Sequence, residues 1–294
     1  MKILLTGKEG QVGWELQRTL APLGSIVAVG RNEVDLADAA ALQRCIREVK
    51  PQLIINAAAY TAVDKAETDQ AAATAVNGTA PGIMAEEAKQ LGAALIHYST
   101  DYVFDGGKPD AYVEDDPTHP LGVYGQTKLA GEQAIRQAGG EHLILRTSWV
   151  YGMRGRNFLL TMLRLAQERK ELRVVDDQIG APTWSRMIAE ATALIAARWY
   201  AAPAADAPSP GLSGIYHLTA GGHVSWHGFA AAIVDQARER QTPAVERIIA
   251  IPSSEYPTPA ARPANSVLAG DKLQQAFGVR LPDWQDSLHS CVSS

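Results

Sequence analysis

The sequence predicts an α/β protein built on a doubly wound parallel sheet, with a smaller mixed domain toward the C-terminus. Three observations predict it. Short apolar runs without polar alternation recur through the first half, separated by longer stretches with apolar residues at helical spacing; this is the pattern of strands covered on both faces by helices. Three glycines directly follow the first of these runs and stand before a helix. The 294 residues give length for two domains of about 150 residues each.

In chain order, strands are expected at 2–6, 25–29, 53–56, 93–98 and 143–146, and helices at 12–23, 38–49, 71–91 and 124–137. Residues 12–23 carry apolar side chains at helical spacing, 38–49 stops ahead of Pro51, and 71–91 is rich in alanine. The second half is less regular. Helices are expected at 157–167, 185–198 and 225–240, the last opening on the capping residue Ser225, with a strand at 214–218. Between them, 200–214 is an Ala/Pro-rich loop too poor in large apolar groups to pack well. The expected domains are 1–152, to which 186–220 returns, and 153–185 with 221–294.

Composition, 46% hydrophobic and 20% charged, is that of a globular protein able to bury a large core. A net charge of -5 gives no global basic field, which argues against nucleic acid as a partner while leaving room for a local anion site. Cys45 and Cys291 fit neither a disulfide framework nor a zinc site and suggest reduced thiols. The start MKILLTGKEG is too short in apolar residues for a signal peptide, and no run reaches membrane-spanning length, so a cytoplasmic protein is expected.

The glycines Gly7, Gly10 and Gly13 fall in TGKEGQVG, between a strand and a helix. Glycine has no Cβ, so backbone amides can approach a pyrophosphate at a helix N-terminus, where the dipole also favours an anion. A plain strand-to-helix turn is the alternative. At the end of the second strand stand Val29, Gly30 and Arg31, with Asp35 further on. Arginine suits the 2′-phosphate of NADPH because its planar fork binds phosphate oxygens in pairs, although a solvated arginine and NADH stay open.

Tyr124 and Lys128, in VYGQTKLAGE, share one face of a helix. A phenol holds its proton at neutral pH, and a nearby ammonium stabilises the phenolate, so the pair can give a proton to a developing alkoxide while a hydride arrives at carbon. By its spacing alone the pair is a common surface contact. Ser99 and Thr100, in HYSTDYVFDG, strengthen it: they stand where the fourth strand ends, the edge of an open α/β sheet at which ligands sit. A hydroxyl there can hold a ketone oxygen or simply cap a turn.

GKEGQVGWEL, NAAAYTAVDKAE, HYSTDYVFDG, VYGQTKLAGE, RTSWVYG, DDQIGAPT and YPTPAARPANS, in this order along nearly the whole chain, resemble the extended short-chain dehydrogenase/reductase family. The resemblance implies a Rossmann-like fold and NADPH-dependent reduction of the 4-keto group of dTDP-4-dehydro-L-rhamnose to dTDP-L-rhamnose, a sugar of surface polysaccharide. Carried over by position, Thr100, Tyr124 and Lys128 would be catalytic: Thr100 orienting the ketone, Tyr124 giving the proton, Lys128 lowering its pKa and holding the nicotinamide ribose. Gln11 and Val12 would join the glycines at the cofactor, with Asn56, Ala57, Ala58, Tyr60 and Ser99 lining it and Asp35 and Leu36 near the adenine. Val63, Asp64, Asp101, Tyr102, Trp149, Arg262 and Asn265 would face the nucleotide sugar. Trp149 could equally be an aromatic in the interdomain core, and Arg262 could be a surface salt bridge.

Sugar-nucleotide dehydratases of the family follow the threonine with Asp-Glu; here Asp101 and Tyr102 follow Thr100, which disfavours elimination of water. Epimerases keep their NAD, whereas Arg31 favours an exchangeable NADPH. The regulatory subunit of methionine adenosyltransferase resembles the same family and acts as a binding partner, so the fold alone does not establish turnover. His223 and His227 lack the Glu of His-Glu-x-x-His and an evident third ligand, so they read as polar residues at a helix start. In some relatives magnesium held by glutamates joins two subunits; Glu15 matches one such position, while Arg186 stands where relatives can carry an acid. A monomer and a homodimer are both open.

Overall fold

The computed structural model describes residues 1–200, 208–209, 211–239 and 243–293. Five strands come first: β1 (Lys2–Thr6), β2 (Ser25–Val29), β3 (Leu53–Asn56), β4 (Ala94–Thr100) and β5 (His142–Thr147). Seven more follow among the described residues: β6 (Val150–Tyr151), β7 (Glu171–Val175), β8 (Ile179–Gly180), β9 (Thr183–Trp184), β10 (Gly214–His217), β11 (Val224–Ser225) and β12 (Arg247–Ile251). The first five and β10 form one parallel sheet in the order β10-β5-β4-β3-β1-β2. The chain reverses direction across the sheet between β1 and β3, and the carboxyl ends of these two strands open a crevice there.

Alternate residues of each strand face opposite layers. Ile3, Leu5, Leu53 and Ile55 pack against Leu16, Ile188 and Trp199 of the helices Gln11–Thr19 and Ser185–Trp199. Leu4, Ile54 and Ile144 pack against Leu42, Ile46, Met84 and Ile135 on the other side. Burying each such leucine or isoleucine contributes about 1.5–3 kcal/mol, so both faces hold the sheet rigid beneath the crevice. The tail also reaches this sheet, since Leu273, Phe277, Val279 and Leu281 join the first layer. A separate core gathers Tyr151, Leu159, Phe229, Ile233, Trp284 and Leu288 from the second half.

Helix boundaries follow local chemistry. Asp38 caps Ala39–Val49 by accepting from the Ala41 amide at 2.9 Å, and Ser225 caps Trp226–Arg238 through the Gly228 amide at 3.0 Å. The stretch expected as one helix at 12–23 is instead Gln11–Thr19 followed by a 3-10 turn, Ala21–Leu23, because Pro22 has no N–H to continue the ladder. The stretch 71–91 likewise divides into Gln70–Thr74, a π turn at Ala75–Thr79, and Ala80–Leu91 with Pro81 near its start. Most of the loop expected at 200–214 and the end of the helix expected at 225–240 lie outside the described residues.

Candidate active site

A cleft of about 570 Å3 opens at the crevice, lined by the loop after β1, the end of β2, residues 57–61 after β3, and Tyr98, Ser99, Tyr124, Lys128 and Thr147. Gly7 and Gly13 shape its floor. Gly7 has φ 78, and a Cβ on it would stand 2.7 Å from the Ala58 amide nitrogen; a Cβ on Gly13 would stand 2.1 Å from the Gly7 carbonyl oxygen. Only glycine permits this approach of loop, helix and β3. Gly10, Gln11 and Val12 line the cleft above them, and Gln11 is steadied by accepting from the Asn157 side-chain amide at 2.8 Å.

At the far end of the cleft Arg31, Asp35 and Leu36 line the wall. Arg31 is exposed and stands 3.8 Å from Asp35. Two acids that sequence reading missed are also there. Glu33 accepts from the Gly30 amide at 2.8 Å and pairs with Lys8, and the Glu9 carboxylate approaches Gly30 so closely that a Cβ there would lie 2.1 Å from it.

Tyr124 and Lys128 ride on the helix Val123–Ala138, which the chain clamps in place. A Cβ on Gly125 would stand 2.2 Å from the Tyr102 carbonyl oxygen and one on Gly131 would stand 2.2 Å from the Asn77 carbonyl oxygen, so the helix lies directly on both backbones. Asn77, in the π turn, accepts from the Tyr60 amide and donates to Thr127 on this helix. From β5, Arg146 grips Glu132 one turn beyond Lys128.

Burial pushes the Tyr124 phenol up to about 12, against a hydrogen bond with Thr100 that lowers it; the Asp101 carboxylate raises it further. Thr100, buried, donates to Asp101 Oδ1 at 3.0 Å. Burial pushes Asp101 up to about 6, opposed by hydrogen bonds with Ser266 and Thr100. Burial holds Lys128 down at about 8, with Glu132 acting the other way. Its ammonium lies 2.6 Å from the Tyr98 carbonyl oxygen and 3.2 Å from His97 Nε2.

Asn56 and Gly13 stand behind the cleft lining, and the residues matched to the sugar lie beyond it. Arg262 makes two hydrogen bonds to Asp64, of 3.1 and 2.9 Å, bridging the loop of residues 258–266 to the short helix Val63–Ala66. Tyr102 meets Tyr124 edge to face at 5.4 Å, and burial pushes its phenol up. Trp149 has φ 47 and stacks on Trp226 with ring centroids 3.4 Å apart and planes within 4°. Asn265 donates to the Lys108 and Asp110 carbonyls and accepts from the Val267 amide, so its amide serves the loop.

Thr147 and Val150, at and just beyond the end of β5 where the rule for strand ends places ligands, also line the cleft, as do Gly155 and Arg156, which no sequence pattern marks. Glu15 pairs with Arg18 at 2.6 Å and Arg186 with Glu190 at 2.9 Å. Among the described residues, no three His, Cys, Asp or Glu side chains gather as a metal site. His223 precedes β11 while His227 lies in the first turn of a helix, 3.6 Å from Asp176. No helix among the described residues is long and apolar enough to cross a membrane.

A family model described as the RmlD substrate binding domain matches residues 1–294. The chain is 53% identical over 297 residues to the dTDP-4-dehydrorhamnose reductase of Burkholderia thailandensis, covering 99% of this chain and 98% of that one. It is 47% identical over 290 residues to the Escherichia coli enzyme of the same name, covering 97% and 95%. The dTDP-4-dehydrorhamnose reductase of Bacillus anthracis, solved in complex with NADP, superposes with a TM-score of 0.90 at 32% identity over 99% of this chain and 98% of that one. With the glycine-floored cleft and the Thr100, Tyr124 and Lys128 set beside it, these matches show that the chain belongs to the dTDP-4-dehydrorhamnose reductase family of oxidoreductases.

Proposed function

We propose that the protein reduces the 4-keto group of dTDP-4-dehydro-L-rhamnose with NADPH to give dTDP-L-rhamnose. The observation that carries this reading is that Tyr124 and Lys128 line the same cleft as the loop after β1, which admits no side chain at Gly7 or Gly13. The cleft fits a dinucleotide. Its floor brings backbone close to the space a pyrophosphate needs, and the buried Ser99 and Thr147 hydroxyls on its wall have no hydrogen-bond partner.

Gly7, Gly10, Gln11 and Val12 would hold the pyrophosphate, Ala57, Ala58 and Tyr60 would flank the cofactor, and Asp35 and Leu36 would lie near the adenine. Arg31, exposed beside the cleft, would meet the 2′-phosphate. NADPH, when bound, supplies a hydride to the carbonyl carbon. Thr100 then fixes the ketone oxygen, and Tyr124 gives its phenolic proton to the oxygen as charge develops there. Burial keeps Tyr124 protonated at neutral pH, which is the form an acid needs, and an alkoxide is basic enough to take that proton. The positive charge of Lys128 would stabilise the phenolate left behind and hold the nicotinamide ribose. Tyr102, Asp64 and Arg262 would receive the nucleotide sugar, Arg262 exchanging part of its contact with Asp64 for a phosphate.

The test is product analysis. Purified protein, NADPH and dTDP-4-dehydro-L-rhamnose are combined and the sugar ring is identified by NMR, with NADH in parallel. Formation of dTDP-L-rhamnose, faster with NADPH, is expected; recovery of unchanged ketone, or of the C4 epimer, contradicts the proposal.

A further inference from the structure

Behind the cleft a chain of buried polar groups crosses three strands to reach Lys128. The Thr6 hydroxyl on β1 donates to Asn56 Oδ1 on β3 at 2.7 Å. Asn56 Nδ2 stands 3.0 Å from His97 Nδ1 on β4, and His97 Nε2 stands 3.2 Å from Lys128 Nζ. Thr6, Asn56, His97 and Lys128 are each at most 1% exposed, so water does not adjust the pattern and each proton has to be accounted for.

One backbone group fixes the direction of the chain. The Ala58 amide can only donate, and it donates to Asn56 Oδ1 at 3.2 Å. Asn56 therefore presents its NH2 to His97, and His97 Nδ1 accepts. Burial, with the Lys128 charge adding to it, holds His97 well below its ordinary value, so the ring is neutral and its one proton sits on Nε2, facing Lys128. An ammonium offers no lone pair to that N–H. An amine does: it accepts from Nε2–H while donating its own N–H to the Tyr98 carbonyl oxygen, 2.6 Å away. With Lys128 charged the chain holds one donor too many, and with Lys128 neutral it closes.

We propose that His97 is a positioning residue that biases the protonation of Lys128, facing the ammonium from behind with an N–H that only the neutral amine can accept. This rests on the reading of Lys128 as the residue that holds the nicotinamide ribose and supports Tyr124. The other groups around Lys128 are accounted for. Glu132, on the same helix, favours the ammonium but is tied to Arg146 from β5. Tyr124 titrates far above this range. Thr127 is engaged with Asn77, and β4 contributes only the Tyr98 carbonyl besides His97. The same motif that shows Ser99 and Thr100 in the sequence thus carries a third residue, whose side chain points to the opposite side of the strand from Tyr98 and Thr100.

Two measurements test it, one of which needs no substrate. Ring-nitrogen NMR of the full chain labelled at histidine, assigned by the resonances missing in His97→Asn, should show His97 as the neutral Nε2–H tautomer from about pH 6 to about pH 9. An Nδ1–H tautomer, or a ring that charges in this range, overturns the proposal. His97→Asn keeps an acceptor for Asn56 and removes the group facing Lys128. In the wild-type protein, NADPH affinity and turnover should both fall as pH rises through about 8, as Lys128 loses its charge. In His97→Asn both falls should move up by about half a unit to one unit. Unmoved profiles in a folded variant overturn the proposal, and the tautomer decides alone if the variant does not fold. Absence of turnover with every ketone would instead count against the reductase reading, leaving the tautomer and binding profiles to judge His97.

Discussion

The Arg146 guanidinium holds the Glu132 carboxylate through two hydrogen bonds of 2.9 and 2.7 Å, with both side chains at most 2% exposed. The pair ties β5 to the helix Val123–Ala138 one turn beyond Lys128. Removing one partner leaves a buried charge alone, so Arg146→Met should cost about 3–5 kcal/mol. Replacing both, as Arg146→Met with Glu132→Leu, should recover much of that loss. Urea unfolding of the three proteins checks this; a single-variant cost below about 1 kcal/mol would show that the pair does not hold the helix.

Gly13 and Gly10 line the same turn but meet different surroundings. A Cβ at Gly13 would sit 2.1 Å from a backbone oxygen, whereas one at Gly10 would sit 3.2 Å from the same oxygen. Gly13→Ala should therefore destabilise the protein by about 1–3 kcal/mol and weaken NADPH binding. Gly10→Ala should fold nearly normally and lose affinity by about tenfold or more, because its methyl would intrude on the pyrophosphate. Thermal unfolding and fluorescence titration separate the two effects; equal behaviour of both variants would contradict the assigned turn geometry.

Asp101 gives a pH signature. Its folded value, about 6, lies above the ordinary value of 3.8, so the native state binds the proton more tightly than the unfolded chain does. Its favourable contribution is complete below about pH 4 and lost as pH rises through about 6. Asp101→Asn should therefore gain stability relative to wild type between these values, by roughly 2–3 kcal/mol at neutral pH. The measurement is the difference in urea unfolding free energy at both ends of the window. A constant difference would mean that Asp101 does not titrate there.

Much of the sheet was legible because its strands are uninterrupted apolar runs. Predicted strands 2–6, 25–29 and 53–56 coincide with β1, β2 and β3. In the second half the strand expected at 214–218 is β10, while the other strands were not legible. β6, β8, β9 and β11 have two residues each, too few to show a period, and β7 and β12 place Arg173 and Arg247 among apolar residues. The π turn was hidden inside an alanine-rich helical pattern, although Pro81 marks where an ordinary helix would be strained. In the site, Gly7, Tyr124 and Lys128 announce themselves by residue type and spacing. The Trp149–Trp226 stack and the contact of His97 with Lys128 depend on the packing of distant segments, which no local pattern records.

In the proposed reaction Tyr124 is the proton donor. Tyr124→Phe removes one hydroxyl and little volume, so the fold and NADPH affinity should persist while the rate of NADPH oxidation by dTDP-4-dehydro-L-rhamnose falls by about two to four orders of magnitude. The decisive measurement is the loss of nicotinamide absorbance in a single turnover, wild type beside Tyr124→Phe, at matched cofactor occupancy. A large loss of rate with binding intact is the result the geometry predicts; a variant that turns over at near-normal rate contradicts it.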